Sequence, residues 1–134
     1  MNDSYKTYVS VVGRLLLALM FILSGFGKLG NIEGTAAFVA SGGLPAPTAL
    51  AVAVGALELF GGLALVFGLL VRPAAAVLVF TMVVAIFAVH IGNGLFMSNN
   101  GYEFALALLA ASVSLAISGA GRASADSLLT TKGA

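Results

Sequence analysis

The chain has 134 residues, 60% of them hydrophobic and only 8% charged, where a soluble domain carries about 25% charged residues. A domain this small must clothe a large surface with polar groups if water is its solvent, so this composition, with a mean hydropathy of +1.12, points to one compact domain in a bilayer. The net charge of +1, drawn from scattered basic residues, leaves no nucleic-acid footprint, and the lack of cysteine excludes disulfides, thiolate metal sites and thiol relays within the chain.

Apolar stretches of about 20 residues cross a hydrocarbon core of roughly 30 Å. Four segments are read as spans: Val9 to Leu29, Ala49 to Val71, Ala74 to Ile91 and Tyr102 to Ser118, the last two short but adequate with their flanks. In the first, Lys6, Arg14 and the run "LLLALMFIL" mimic a signal peptide. No A-x-A-like site comes after it and Lys28 closes a span of adequate length, so retention is expected. Arg14 can send its head to solvent along its own stem, or engage a lipid phosphate or a carbonyl-rich helix end. The segment 31–41, "NIEGTAAFVAS", is too short to span and is expected to be a short interfacial helix or a loop.

"SGGLPAP", Ser41 to Pro47, breaks the chain before the second span. That span carries Glu58 in an otherwise apolar run, nine residues in, roughly 14 Å deep at 1.5 Å per residue and close to the midplane. A carboxylate there must find a partner or a proton. Gly61 and Gly62, one turn on, clear space beside it for a second helix or a flat ligand.

Arg72-Pro73 separates the second and third spans, and proline suits a first helical turn. His90, the only histidine, comes after Val83, Ile86 and Phe87 on one helical face and is the candidate for proton transfer or ligand binding, set against a bland role as a hydrogen-bonded interfacial residue. "GNGLFMSNNG", Gly92 to Gly101, reads as a flexible loop, and its glycines lack the strand and lysine of a phosphate cradle. Glu103 opens the fourth span, where the helix dipole favours it. Ser112, Ser114 and Ser118 have no His or Asp placed to form a nucleophilic triad.

An all-α integral membrane four-helix bundle is therefore expected, with one surface carrying Lys6, Arg14, Arg72, Arg122 and Lys132 and the other Lys28 alone. The positive-inside rule then places both the N and C termini in the cytoplasm. Lys28, Glu58, His90 and Glu103 fall in the outer half, delivered by four different spans. No metal site is expected, because one histidine and scattered carboxylates have no ligand spacing.

The ordered set "GRLLLALMFILSGFGKL" with Arg14 and the G-x-x-K of Gly25 to Lys28, "GGLP", "ELFGGLALVFGLLVRPAA" with Glu58, Gly61, Gly62, Gly68 and Arg72, then His90, Glu103 and "GAGRASAD" with Gly119, Gly121, Ser124 and Asp126 resembles the DoxX family of small bacterial inner-membrane proteins. The resemblance covers nearly the whole chain. It implies a four-helix membrane bundle and an association with redox partners, through relatives that serve as a subunit of thiosulfate:quinone oxidoreductase. Relatives that work through paired cysteines do not guide this chain, which has none.

The resulting expectation is a multi-pass protein of the bacterial inner membrane that binds a quinone or similar lipophilic ligand, with no covalent cofactor. Glu58 and His90 would contact the polar head, Lys28 and Glu103 would set the local field, and a partner subunit would supply electrons. The rival expectations are a structural or assembly subunit in which Glu58 pairs with Lys28 or His90 to fix helix register, and a small transporter using the same residues as a pathway. Dimers or larger assemblies suit that last reading.

Overall fold

A computed structural model describes residues 3–99, 101–120 and 124–133. Gly121 and Arg122 of the "GAGRASAD" stretch lie outside the described residues. Among the described residues the architecture is all-helical: α1 (Asp3–Gly30), α2 (Ile32–Ser41), α3 (Pro47–Phe67), α4 (Val71–Ala85), α5 (Glu103–Ser118) and α6 (Ala125–Gly133). A π turn, Ile86–His90, and a 3-10 turn, Ile91–Asn93, extend α4, and a second 3-10 turn, Met97–Asn99, precedes α5.

Three continuous apolar helices are long enough to cross a bilayer: Ser4–Gly30, Pro47–Phe67 and Val71–Asn93. The apolar α5 has 16 residues, about 24 Å at 1.5 Å per residue. Large apolar side chains point outward along all four, with Phe26 70%, Phe60 65%, Phe80 67% and Ile117 74% exposed. A water-soluble bundle would bury these; with lipid as the solvent they need no cover. The buried core is correspondingly thin, running through Leu17, Phe21, Leu65, Leu78, Met82 and Leu108.

Helices α1 and α3 form one close pair and α4 and α5 another, joined through α3 and α4, whereas α1 and α5 barely meet. The α1–α3 approach is set by missing side chains. A Cβ on Gly25 would collide with the backbone of Gly55 and Leu59, and one on Gly62 would stand 2.8 Å from Ile22 Cγ1 and 3.1 Å from the Ala18 carbonyl oxygen. Gly61 faces the other way, and its Cβ would meet Leu78 of α4 at 3.0 Å. The space beside both glycines near Glu58 is therefore filled by neighbouring helices.

The boundary between the second and third spans falls earlier than the Arg72-Pro73 break. Gly68, at φ +67°, ends α3, with Leu69 N–H bonded to the Ala64 carbonyl at 2.9 Å and Gly68 N–H to that of Leu65 at 3.2 Å, a Schellman closure. Helix α4 then starts at Val71, so Arg72 and Pro73 sit inside its first turn. The segment 31–41 is a helix, α2, capped by the Asn31 side chain, which accepts from Gly34 N–H at 3.1 Å. It packs on α3 and against the π turn, and Gly42 at its end has no room for a Cβ because the Ala88 carbonyl lies there.

Candidate functional site

Glu58 is 1% exposed and lies mid-way along α3. Its Oε2 accepts from Ser24 Oγ at 2.7 Å and from Lys28 Nζ at 2.9 Å, while Lys28 Nζ also donates to Ser24 Oγ at 2.6 Å. Ser24 and Lys28 are one turn apart on α1, so both reach the same oxygen. The close approach at Gly25, Gly55 and Gly62 brings α1 near enough for this to happen. Oε2 takes both donors, and Oε1 is the Glu58 oxygen with acceptor capacity left.

These residues line a cavity of about 190 Å³. Its polar lining is Ser24, Lys28, Thr35, Glu58, Thr81 and His90; its walls include Phe38 and Val39 of α2, Leu50 and Val54 of α3, Met82 of α4 and Leu108 of α5. Thr81 is buried and donates its hydroxyl proton to the Leu78 carbonyl at 2.9 Å, so its oxygen keeps lone pairs for an acceptor role. His90 ends the π turn, in which Ile91 N–H bonds to the Ile86 carbonyl. A π turn adds one residue to the local winding and rotates the residues beyond it relative to a continued α-helix. Here it brings both Val89 and His90 to the cavity wall, and the His90 ring sits 5.5 Å from the Phe38 ring at an interplanar angle of 52°.

Of the residues singled out from sequence, Glu58, Lys28 and His90 share this cavity; Glu103 and Arg14 do not line it. Glu103 is exposed at the start of α5, where it accepts from Met97 N–H at 3.4 Å. Arg14 is 4% exposed and belongs to the opposite end of the bundle, where Nη1 donates to the Ala120 carbonyl. Ser24, Thr35 and Thr81 went unremarked in the sequence. The available signals were the i, i+4 spacing of Ser24 to Lys28 and the position of Thr81 as the only hydroxyl in α4.

Arg14 is part of a second polar cluster. Asp126 accepts from Leu70 N–H at 2.7 Å and from Val71 N–H at 2.9 Å, and its own N–H donates to the Gly68 carbonyl at 2.9 Å. Its carboxylate thereby caps α4, whose preceding residue, Leu70, has φ +51°, and it lies within electrostatic reach of Arg14. A Cβ on Gly68 would collide with Ser124, and one on Gly119 would stand 2.9 Å from Arg72 Nε. Gly68 and Arg72 of "GLLVRP" and Gly119, Ser124 and Asp126 of "GAGRASAD" are thus the two halves of one junction.

A family model for DoxX matches residues 9–91. The chain belongs to the DoxX family. It is 34% identical over 119 residues to the "Putative oxidoreductase CatD" of Bacillus subtilis, covering 89% of this chain and 84% of that protein. It is 34% identical over 128 residues to the "Inner membrane protein YqjF" of Escherichia coli K12, covering 91% and 92%. The "Inner membrane protein YphA" of the same organism matches at 31% over 70 residues, 52% of this chain and 50% of that one. No solved structure gives a significant match. With its apolar helices and these relatives, this DoxX protein is a multi-pass protein of the bacterial inner membrane.

Proposed function

We propose that the cavity between α1, α2, α3, α4 and α5 binds the ring of a lipophilic compound of the quinone class, and that the protein supports membrane redox chemistry together with a partner subunit, its own termini lying in the cytoplasm. The observation that carries this reading is a small, largely apolar chamber with an acid, an ammonium, an imidazole and two threonine hydroxyls on its wall. Size favours a single ring: a dry engineered cavity of about 150 Å³ takes up benzene, and this one is about 190 Å³. A quinone ring presents carbonyl acceptors that become hydroxyl donors on reduction. Lys28 would donate to a carbonyl, while Glu58 Oε1 and the Thr81 oxygen would accept from a hydroxyl. Proton uptake or release at the ring would run through Glu58 or His90. Electrons would come from the partner, since the sequence has no cysteine and no motif for flavin, haem or an iron–sulfur cluster. The name of CatD as an oxidoreductase supports the redox part of this reading.

The test is mass spectrometry of quinones retained by protein extracted under mild conditions. The native protein should retain quinone, and Glu58→Gln and His90→Ala should lose it while keeping the helical fold. The Glu58–Lys28 ion pair favours a second reading, in which the acid clamps α1 to α3 in a structural subunit. Collapse of Glu58→Gln in a protein that never carries a ligand would select that reading.

A further inference from the structure

The two helices that barely meet, α1 and α5, run antiparallel and leave a groove of about 270 Å³ between them, at the opposite end of the bundle from the cavity. Its lining pairs Ser10 and Arg14 on α1 with Ser114 and Ser118 on α5, along with Gly13. Each pair is spaced i, i+4, so each presents two polar groups one turn apart on one helix face. From Leu15 to Gly27 on α1 and from Phe104 to Val113 on α5, by contrast, every exposed residue is apolar. Three exposed serines and the buried Arg14 lining one open seam therefore need a reason.

We propose that this seam is a binding site for the phosphate of an anionic glycerophospholipid. The depth is appropriate. The groove lies at the level where α3 turns into α4, because Arg14 Nη1 would be 3.1 Å from a Cβ on Gly68, and helix turns mark the edge of the hydrocarbon. The charge is appropriate as well. Two arginines, Arg14 and Arg72, stand at this end with the Asp126 carboxylate, which also accepts from the Leu70 and Val71 N–H groups. Ser112, on the same helix, is buried and donates to the Leu108 carbonyl at 2.7 Å. Ser114 and Ser118 are exposed toward the lipid side and offer hydroxyl donors to a phosphate oxygen. Val9, Leu17, Ala111 and Leu115 line the rest of the groove and give an acyl chain an apolar wall, which selects a lipid over a free anion.

Two variants fill the groove without touching Arg14. Gly13→Leu has nothing within 4 Å of its new Cβ, and Ser114→Leu places an apolar side chain at an exposed position. Protein in nanodiscs containing phosphatidylglycerol and phosphatidylcholine should retain the phosphatidylglycerol through detergent extraction. Each variant should retain about tenfold less, Ser114→Leu through one lost hydrogen bond to a charged group and Gly13→Leu by occupying the groove, with unchanged thermal stability in phosphatidylcholine alone. Added phosphatidylglycerol should raise the melting temperature of the native protein, and inorganic phosphate should not. Equal retention of the two lipids, unchanged retention by both variants, or a matching thermal shift with inorganic phosphate would overturn the proposal.

Discussion

Glu58 and Lys28 meet in a setting where neither is neutral in its effect on stability. Removing one member of a buried ion pair strands the other, at a cost of about 3–5 kcal/mol when both are fully enclosed. Glu58 is enclosed at 1% exposure, but the Lys28 side chain is 32% exposed and can turn to solvent if its partner is lost. The loss is therefore asymmetric. Lys28→Met, which abandons the carboxylate, should lower stability more than Glu58→Gln, and the double variant should recover part of the Lys28→Met loss. A double-mutant cycle on thermal unfolding in one detergent should give a coupling of about 0.5–3 kcal/mol; additive losses would mean the pair is energetically idle. Glu58 was legible in the sequence because one charge in an apolar run demands a partner, and Lys28 because it closes the preceding span. Ser24 and Thr81 were not, since hydroxyls in membrane helices usually bond to their own backbone, as Ser112 does here.

Helix α1 is aligned against α3 by atoms that are absent. Gly25 and Gly62 face backbone, and backbone cannot step aside as a flexible side chain can. Gly25→Val should force the pair apart, at or above the roughly 1–3 kcal/mol of an overpacked core, and should break the Ser24–Lys28–Glu58 triangle with it. Gly27→Ala, where a Cβ meets nothing within 4 Å, should instead be neutral or stabilising by up to about 1 kcal/mol. Thermal unfolding of the two variants separates the explanations: similar losses would show that helix propensity, and not the close approach, is what these glycines serve. Gly61 and Gly62, one turn beyond Glu58, made such packing legible in α3. The sequence was silent on the π turn, because one extra residue in the winding leaves the hydropathy of Ile86–His90 unchanged. Its rotation of Val89 and His90 is visible only once α4 is seen against the cavity.

At the scale of the whole molecule, polar groups gather at two ends: the cavity beneath α2, and the junction of Arg14, Gly68, Arg72, Ala120 and Asp126. The four apolar helices were legible from hydropathy alone. The junction was not, because Asp126 lies more than fifty residues from the helix it caps, and no periodicity links such positions. Asp126→Ala leaves the Leu70 and Val71 N–H groups without this acceptor and Leu70 without a restraint on its left-handed conformation. It should cost about 0.5–2 kcal/mol, the range for a lost helix cap. Asp126→Asn should recover only part of this, since its single amide oxygen replaces one of the two carboxylate oxygens that accept from Leu70 and Val71, and its NH2 group meets the other N–H donor to donor. Equal unfolding midpoints for native and Asp126→Ala protein would show that the cap contributes nothing.

The same junction has a bearing on how the molecule is made. Arg14 is synthesised 106 residues before Ala120, whose carbonyl is its acceptor, and the cap on α4 arrives only with residue 126. While the ribosome is still delivering α5, the first helix holds a guanidinium without that acceptor and α4 has a bare amino end, both at the rim of the bilayer. The junction therefore closes only after α5 has been delivered, and a nascent chain arrested before Ala120 should remain open to quality-control proteases that a chain extended past Asp126 resists.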